Sequence, residues 1–199
     1  MKKLILLGSL ILVCTAIHAQ LGYEAGIRAG ANLSTQFTSS TASEVETSWK
    51  PGVHIGVFGI LIYSEKMAGQ LELLYSQKGS VWSAPDYSGD EAVSYIDMPL
   101  TARFQVLDLL NIHAGPQFSF RTRAFRMPED GGAAYSITEF YDEVDVGLLV
   151  GAELNLPIKL NVALRYIEGL MVASDSRYYP DPWQNRVFQL SLSYAIWGD

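Results

Sequence analysis

Residues 110–123 read LNIHAGPQFSFRTR, and every second position from Ile112 is apolar or small: Ile112, Ala114, Pro116, Phe118 and Phe120. Between them stand His113, Gly115, Gln117, Ser119, Arg121 and Arg123. Strict alternation predicts a strand with two unlike faces. The same period recurs at 23–33, 52–63, 69–79, 94–104, 143–154, 159–169 and 187–197, which makes eight stretches in all. Each is about ten residues long, the length a tilted strand needs to cross a bilayer core. Strands of soluble proteins average roughly five to six. No stretch of comparable length carries helical periodicity, so the fold class is all-β. The connections alternate as well. Those at 35–50, 80–93, 124–142 and 171–185 are long, polar and acidic, and those at 64–68, 105–110 and 155–158 are short. An even number of strands with long loops at one end and tight turns at the other predicts an eight-stranded antiparallel up-and-down transmembrane β-barrel. Both termini then fall on the short-turn side, the periplasm.

The charges follow the same period. The polar face collects Glu24, Glu72, Asp97, Asp145, Glu153 and Glu168 as acids, and Arg28, Lys78, Arg103, Arg121, Arg123 and Arg165 as bases. The apolar face collects none. Eight strands enclose an interior just wide enough for side chains to fill, so these twelve residues predict an internal charge network and a plugged lumen. The apolar face then meets lipid, where a charge at mid-depth costs ~2–4 kcal/mol. Phe58, Ile60, Leu74 and Leu149 depart from the pattern by falling on the inner face. Pro99 and Pro116 interrupt strands and remove ladder donors, which predicts bulges or positions near the rim. Aromatics gather near strand ends, among them Tyr23, Tyr63, Tyr166 and Trp197, as interfacial girdles do.

The N-terminus adds an address. MKKLILLGSLILVCTAIHAQ has a basic start, an apolar stretch of ten positions from Leu4 to Val13 interrupted only by Gly8-Ser9, and Ala19 before Gln20. This predicts a signal peptide over 1–19 and a barrel domain over 20–199. The single cysteine, Cys14, lies in that leader, which excludes disulfides and thiolate chemistry from the mature chain. Loss of Lys2 and Lys3 takes the net charge from −7 to −9. So acidic a protein is no partner for nucleic acid.

Taken together, GIRAGANLS (26–34), KPGVHIGVFG (50–59), LELLYSQKG (71–79), YIDMPLTARF (95–104), NIHAGPQFSF (111–120), DVGLLVGAEL (145–154), LNVALRYIEGL (160–170) and NRVFQLSLSY (185–194) resemble the PorT-like outer-membrane β-barrel family. HAGPQ and LLYSQKG are the most specific pieces. The resemblance spans nearly all of the mature chain. It implies residence in a Gram-negative outer membrane, contact with outer-membrane lipid, and insertion by the barrel-assembly machinery. Some members of that family take part in protein secretion, which implies other envelope or secretion proteins as partners. It carries over no catalytic residues. The last strand also looks like an assembly signal, with Tyr194 and Ile196 in phase and Trp197 followed by Gly198-Asp199.

Candidate chemistry is sparse. His54 and His113 share the inner face with Ser76 and Ser119, so a histidine–serine pair oriented by Glu72 or Asp97 is conceivable, as in a rim-located lipid-modifying enzyme. The leading reading is a polar plug in a non-enzymatic barrel with a structural or interaction role in the envelope; the lipid-modifying enzyme and a narrow diffusion channel are its alternatives. Loop acids such as Glu129-Asp130 and Asp142-Glu143 show no calcium-loop spacing. GGAAYS and GIRAGAN precede no helix that would make them phosphate cradles. No cofactor is expected. YYPDPW (178–183) concentrates aromatics and prolines, as an exposed recognition patch or a rim anchor would.

Overall fold

A computed structural model describes residues 22–38, 45–84, 87–129, 131–174 and 183–198. The leader expected at 1–19 lies outside them, as do Asp130 and most of YYPDPW. Nine strands and one 3₁₀ turn follow in order: β1 (Gly22–Thr38), β2 (Glu46–Ser64), β3 (Met67–Ala84), β4 (Tyr87–Leu107), β5 (Leu110–Pro128), β6 (Tyr135–Ser136), the turn Thr138–Phe140, β7 (Val144–Asn155), β8 (Leu160–Gly169) and β9 (Trp183–Gly198). Every pairing is antiparallel. The order β4-β3-β2-β1-β9-β8-β7-β5 closes on itself because β4 also pairs with β5. The two-residue β6 lies outside this ring, against Phe125 and Arg126 of β5.

Following paired residues round the ring gives Gly22, Ile62, Ala68, Arg103, His113, Gly151, Arg165, Gln189 and finally Asn32. The path returns to β1 ten residues further along (32 − 22 = 10). Such a stagger tilts the strands and closes a sheet with no free edge. Ile55, Leu73, Leu100, Ile112, Leu148, Leu164 and Leu190 all point outward and lie exposed on the cylinder. Their alternate neighbours are buried. Alternation therefore separates a greasy wall from an inner filling.

The wall is uneven in height. β2 to β5 run 18 to 21 residues, but β7 has 12 and β8 only 10. Crossing a bilayer takes ~9–11, so the tall strands rise well beyond it. Much of what the sequence marks as loop at 35–50, 80–93 and 124–142 is strand. The outer face there mixes polar residues with a few exposed apolar ones such as Trp49, Phe125 and Met127, and the backbone ladder simply continues. The prolines also differ from expectation. Pro99 pairs with Gln117 and Pro116 with Leu148, in mid-strand, with no register shift at either. Pairing between β3 and β4 instead skips from Leu71–Leu100 to Leu74–Asp97, and between β4 and β5 from Pro99–Gln117 to Ala102–Ala114. A residue in an antiparallel ladder bonds to one side only. Each proline thus opens a short local gap, and the flanking pairs hold the register.

Candidate functional site: a charged lumen between two apolar plugs

At mid-height five charged side chains form one chain across the lumen. Arg165 Nη2 donates to Glu72 Oε1 at 2.6 Å and Nη1 to Oε2 at 2.9 Å. Arg28 Nε lies 3.6 Å from Glu72 Oε2, and its Nη2 donates to Glu153 Oε2 at 2.6 Å. Arg103 Nη2 reaches the other oxygen of Glu153, also at 2.6 Å. The sequence runs Arg165, Glu72, Arg28, Glu153, Arg103, with signs strictly alternating. All five are buried. They come from β8, β3, β1, β7 and β4, so no local segment contains the site. Small residues make the room. A Cβ on Gly151 would lie 2.5 Å from His113 Nε2 and 2.9 Å from Arg165 Cγ.

Above this chain Lys78 Nζ donates to Asp97 Oδ1 at 2.9 Å and to Ser119 Oγ at 3.0 Å. Asp145 accepts from Asn185 Nδ2 at 2.8 Å. Beside them lies a neutral set. Asn32 Nδ2 donates to the Gln77 carbonyl at 2.8 Å and to Ser76 Oγ at 3.0 Å, which leaves Oδ1 to face His54 Nδ1 at 2.7 Å. His54 therefore carries its proton on Nδ1, and Nε2 accepts the Ser191 hydroxyl at 2.8 Å. A serine, a histidine and an orienting amide stand at the distances nucleophilic catalysis uses. The sequence reading placed His54 and His113 on one face with Ser76 and Ser119; Ser191 was missed because β9 meets β1 only through ring closure. Access is what the set lacks: Ser191 is 0%, His54 1% and Asn32 2% exposed.

Apolar groups close both ends. At the short-turn end Phe58, Ile60 and Ala195 pack together with Ile62 and Ala68. The Arg28 guanidinium lies over the Phe58 ring, 5.6 Å from its centroid. Of the residues that broke the alternation, Phe58 and Ile60 form this floor, Leu149 packs in a separate cluster with Ile167 and Val187, and Leu74 is buried on the inner face. At the long-loop end Ile137 and Tyr141 fold inward against Val93, Tyr95, Ala124 and Ala173. Tyr141 hydrogen-bonds Gln36 Oε1 and the buried Glu91, which Arg126 pairs from β5. Trp183, the described residue of YYPDPW, is buried with its ring 4.4 Å from that of Trp82. It anchors the strand end at the rim.

Four of the twelve predicted network residues lie elsewhere. Glu24 is half-buried and lines the mouth at the short-turn end, near a cavity of about 140 Å³ that Arg103 and Asn155 also line. Arg121 sits at the opposite mouth, its Nε donating to the Asp142 carbonyl at 3.2 Å. Arg123 is on the outside. A bulge where Tyr95–Arg121 gives way to Ser94–Arg123 reverses the phase, so Arg123 reaches outward to the Tyr75 hydroxyl at 3.1 Å while Arg126 turns in. Glu168 is also outside, paired with Arg186 at 3.0 Å and hydrogen-bonded by Tyr166. Arg165 faces in, and three residues on, without a bulge, is the opposite face. Among the described residues no three His, Cys, Asp or Glu side chains are grouped to hold a metal ion.

A closed antiparallel cylinder, apolar outside and charged within, defines a transmembrane β-barrel. Residues 17–174, more than half of the chain, match the outer membrane protein beta-barrel domain family, and the chain belongs to it. Two solved structures have the same fold. Neisserial surface protein A is 11% identical with a TM-score of 0.55, covering 85% of this chain and 96% of its own. The attachment invasion locus protein Ail of Yersinia pestis is 10% identical with a TM-score of 0.51, covering 87% of this chain and 98% of its own. Curated protein sequences give no match. The protein is an outer-membrane β-barrel.

Proposed function

We propose that this barrel is a non-enzymatic, non-conducting envelope protein that works through its surfaces, with its long-loop end outside the cell and both termini in the periplasm. One observation carries the reading: five interlinked charged groups cross the lumen at mid-height with apolar groups packed at either end, and the cavity of about 140 Å³ at the short-turn mouth reaches no further than Arg103 of that network. A pore needs a wet path, and the charged groups at mid-height are paired with one another, while His113 and Gln189 keep buried polar atoms without a partner. The acidic rim around Glu139, Asp142 and Glu143 is the surface offered to extracellular partners. The PorT-like resemblance adds envelope or secretion proteins as the partner class, and the barrel-assembly machinery as the contact during insertion. Purified protein in planar bilayers should stay silent, and stepwise single-channel conductance would overturn the plug. Crosslinking in intact envelopes would name the partners.

A second reading, a lipid-modifying enzyme, is favoured by the Asn32–His54–Ser191 set alone. Burial of all three opposes it, since a nucleophile must meet its substrate. Ser191→Ala and His54→Asn should leave the lipid A mass spectrum unchanged. A changed acylation pattern in both would establish the enzyme.

A further inference from the structure

The short turns are unlike one another. Ser64-Glu65-Lys66, between β2 and β3, is polar and exposed. The turn between β4 and β5 instead presents Leu107 and Leu109, 64% and 51% exposed, and the turn between β7 and β8 presents Ile158 at 69%. These apolar tips are not loose. Asn155 N–H donates to the Leu109 carbonyl at 2.8 Å and joins the two turns. Gln105 N–H holds the Lys66 carbonyl at 2.9 Å, and Ala195 N–H the Lys159 carbonyl at 3.1 Å. The turns therefore form one stitched ledge that cannot fold its aliphatic groups away from the surroundings.

We infer that this ledge is seated in lipid: the Leu107–Leu109 and Leu156–Ile158 turns penetrate the bilayer leaflet at the short-turn end and anchor the β4–β8 side of the barrel there. Continuity argues for lipid as the occupant. On β4 the lipid-facing row Leu100, Phe104 and Val106 runs into the first turn, and on β7 Val150, Leu154 and Leu156 run into the second, every one of them exposed. Strands on the other side end differently, with Tyr23, Tyr63 and Trp197 marking an aromatic boundary. The ledge carries one acid, Asp108, and one base, Lys159, so it makes no charge selection among headgroups. An exposed apolar patch of this kind needs a cover, and the adjoining bilayer supplies one without a further partner. Which leaflet this is rests on the orientation proposed above.

None of the described residues is a cysteine, so single-cysteine labels at Leu107, Ile158 and, as a control, Glu65 report on these turns one at a time. The full barrel carrying a small fluorophore is reconstituted in phosphatidylcholine vesicles and then with added phosphatidylglycerol. Leu107 and Ile158 labels should be quenched several-fold more by acyl-chain nitroxide lipids than by aqueous iodide, and the Glu65 label should show the reverse. Anionic lipid should change neither ratio. Iodide quenching of Leu107 and Ile158 equal to that of Glu65 would overturn the inference. So would labels wet in pure lipid but shielded in native outer-membrane vesicles, because a protein would then be the cover. With iodide on both faces of the vesicles and nitroxide lipids in both leaflets, neither quencher depends on which way the barrel inserts. A wrong orientation is detected separately, by protease cutting of the long loops on whole cells.

Discussion

The lumen at mid-height and the lumen beneath the long loops belong to the same strands but differ in chemistry: charged groups dominate the first, and in the second apolar and aromatic groups pack beside the buried Glu91 and Gln36. Low on β4 the inner positions are Asp97, Thr101 and Arg103; higher up they are Val93 and Tyr95. On β3 Glu72 and Lys78 give way to Trp82, and on β9 Gln189 and Ser191 give way to Trp183. The outer face changes less completely: Phe118 and Phe120 give way to Arg123, and Phe125 and Met127 beyond it are again exposed. The cause is what surrounds the wall. Acyl chains are about as apolar as leucine, so moving an aliphatic group from lipid into the barrel gains little. Polar groups gain partners by going inside. Above the bilayer the surroundings are water, and burial again stabilises by about 25 cal/mol per Å² of apolar surface. One continuous sheet thus holds an inverted core and an ordinary one.

The charged half offers the sharpest way to break this comparison. Glu153→Leu leaves Arg28 and Arg103 buried without their shared carboxylate. It should lower the unfolding free energy by ~3–5 kcal/mol, read by urea titration of the folded barrel in lipid vesicles. Combining it with Arg28→Met and Arg103→Met should recover most of that loss, because the bidentate Glu72–Arg165 pair stays intact. A triple variant as unstable as the single one would mean that the network itself, and not its completeness, holds the barrel together.

The apolar half should respond locally. Ile137→Ala opens a void beneath the lid, with a cost of ~2 kcal/mol at the low end for such truncations. Because Ile137 belongs to the segment between β5 and β7, protease cutting of residues 131–143 should accelerate while the urea midpoint of the barrel moves little. A midpoint shift as large as that of Glu153→Leu would erase the distinction between the halves. The smallest effect belongs to the outer ion pair. Glu168→Gln should cost under ~1 kcal/mol, as exposed pairs do, given side-chain exposures of 30% for Glu168 and 38% for Arg186. A larger loss in the same urea assay would place that pair within the lipid.

Much of this was legible in residue order. Period-two alternation identifies every wall strand, and within the bilayer it assigns Arg28, Glu72, Lys78, Asp97, Arg103, Asp145, Glu153 and Arg165 to the face the structure buries. The errors sit where the period is interrupted or miscounted. One bulge exchanged Arg123 for Arg126, and a count of three carried Glu168 to the wrong face. The upper strands were read as loops because a lipid-facing stripe was the signal sought, and that stripe ends at the membrane surface.

The sequence by itself determined which residues face lipid and which face inward, because side-chain direction in a strand is a property of neighbouring peptides. Only the tertiary structure decided who meets whom inside. The stagger of ten brings Arg28, Glu72, Arg103, Glu153 and Arg165 from five strands to one height, and it sets Ser191 beside His54. Partners separated by a hundred or more residues are fixed by how far the sheet slips before it closes, and no local segment encodes that slip.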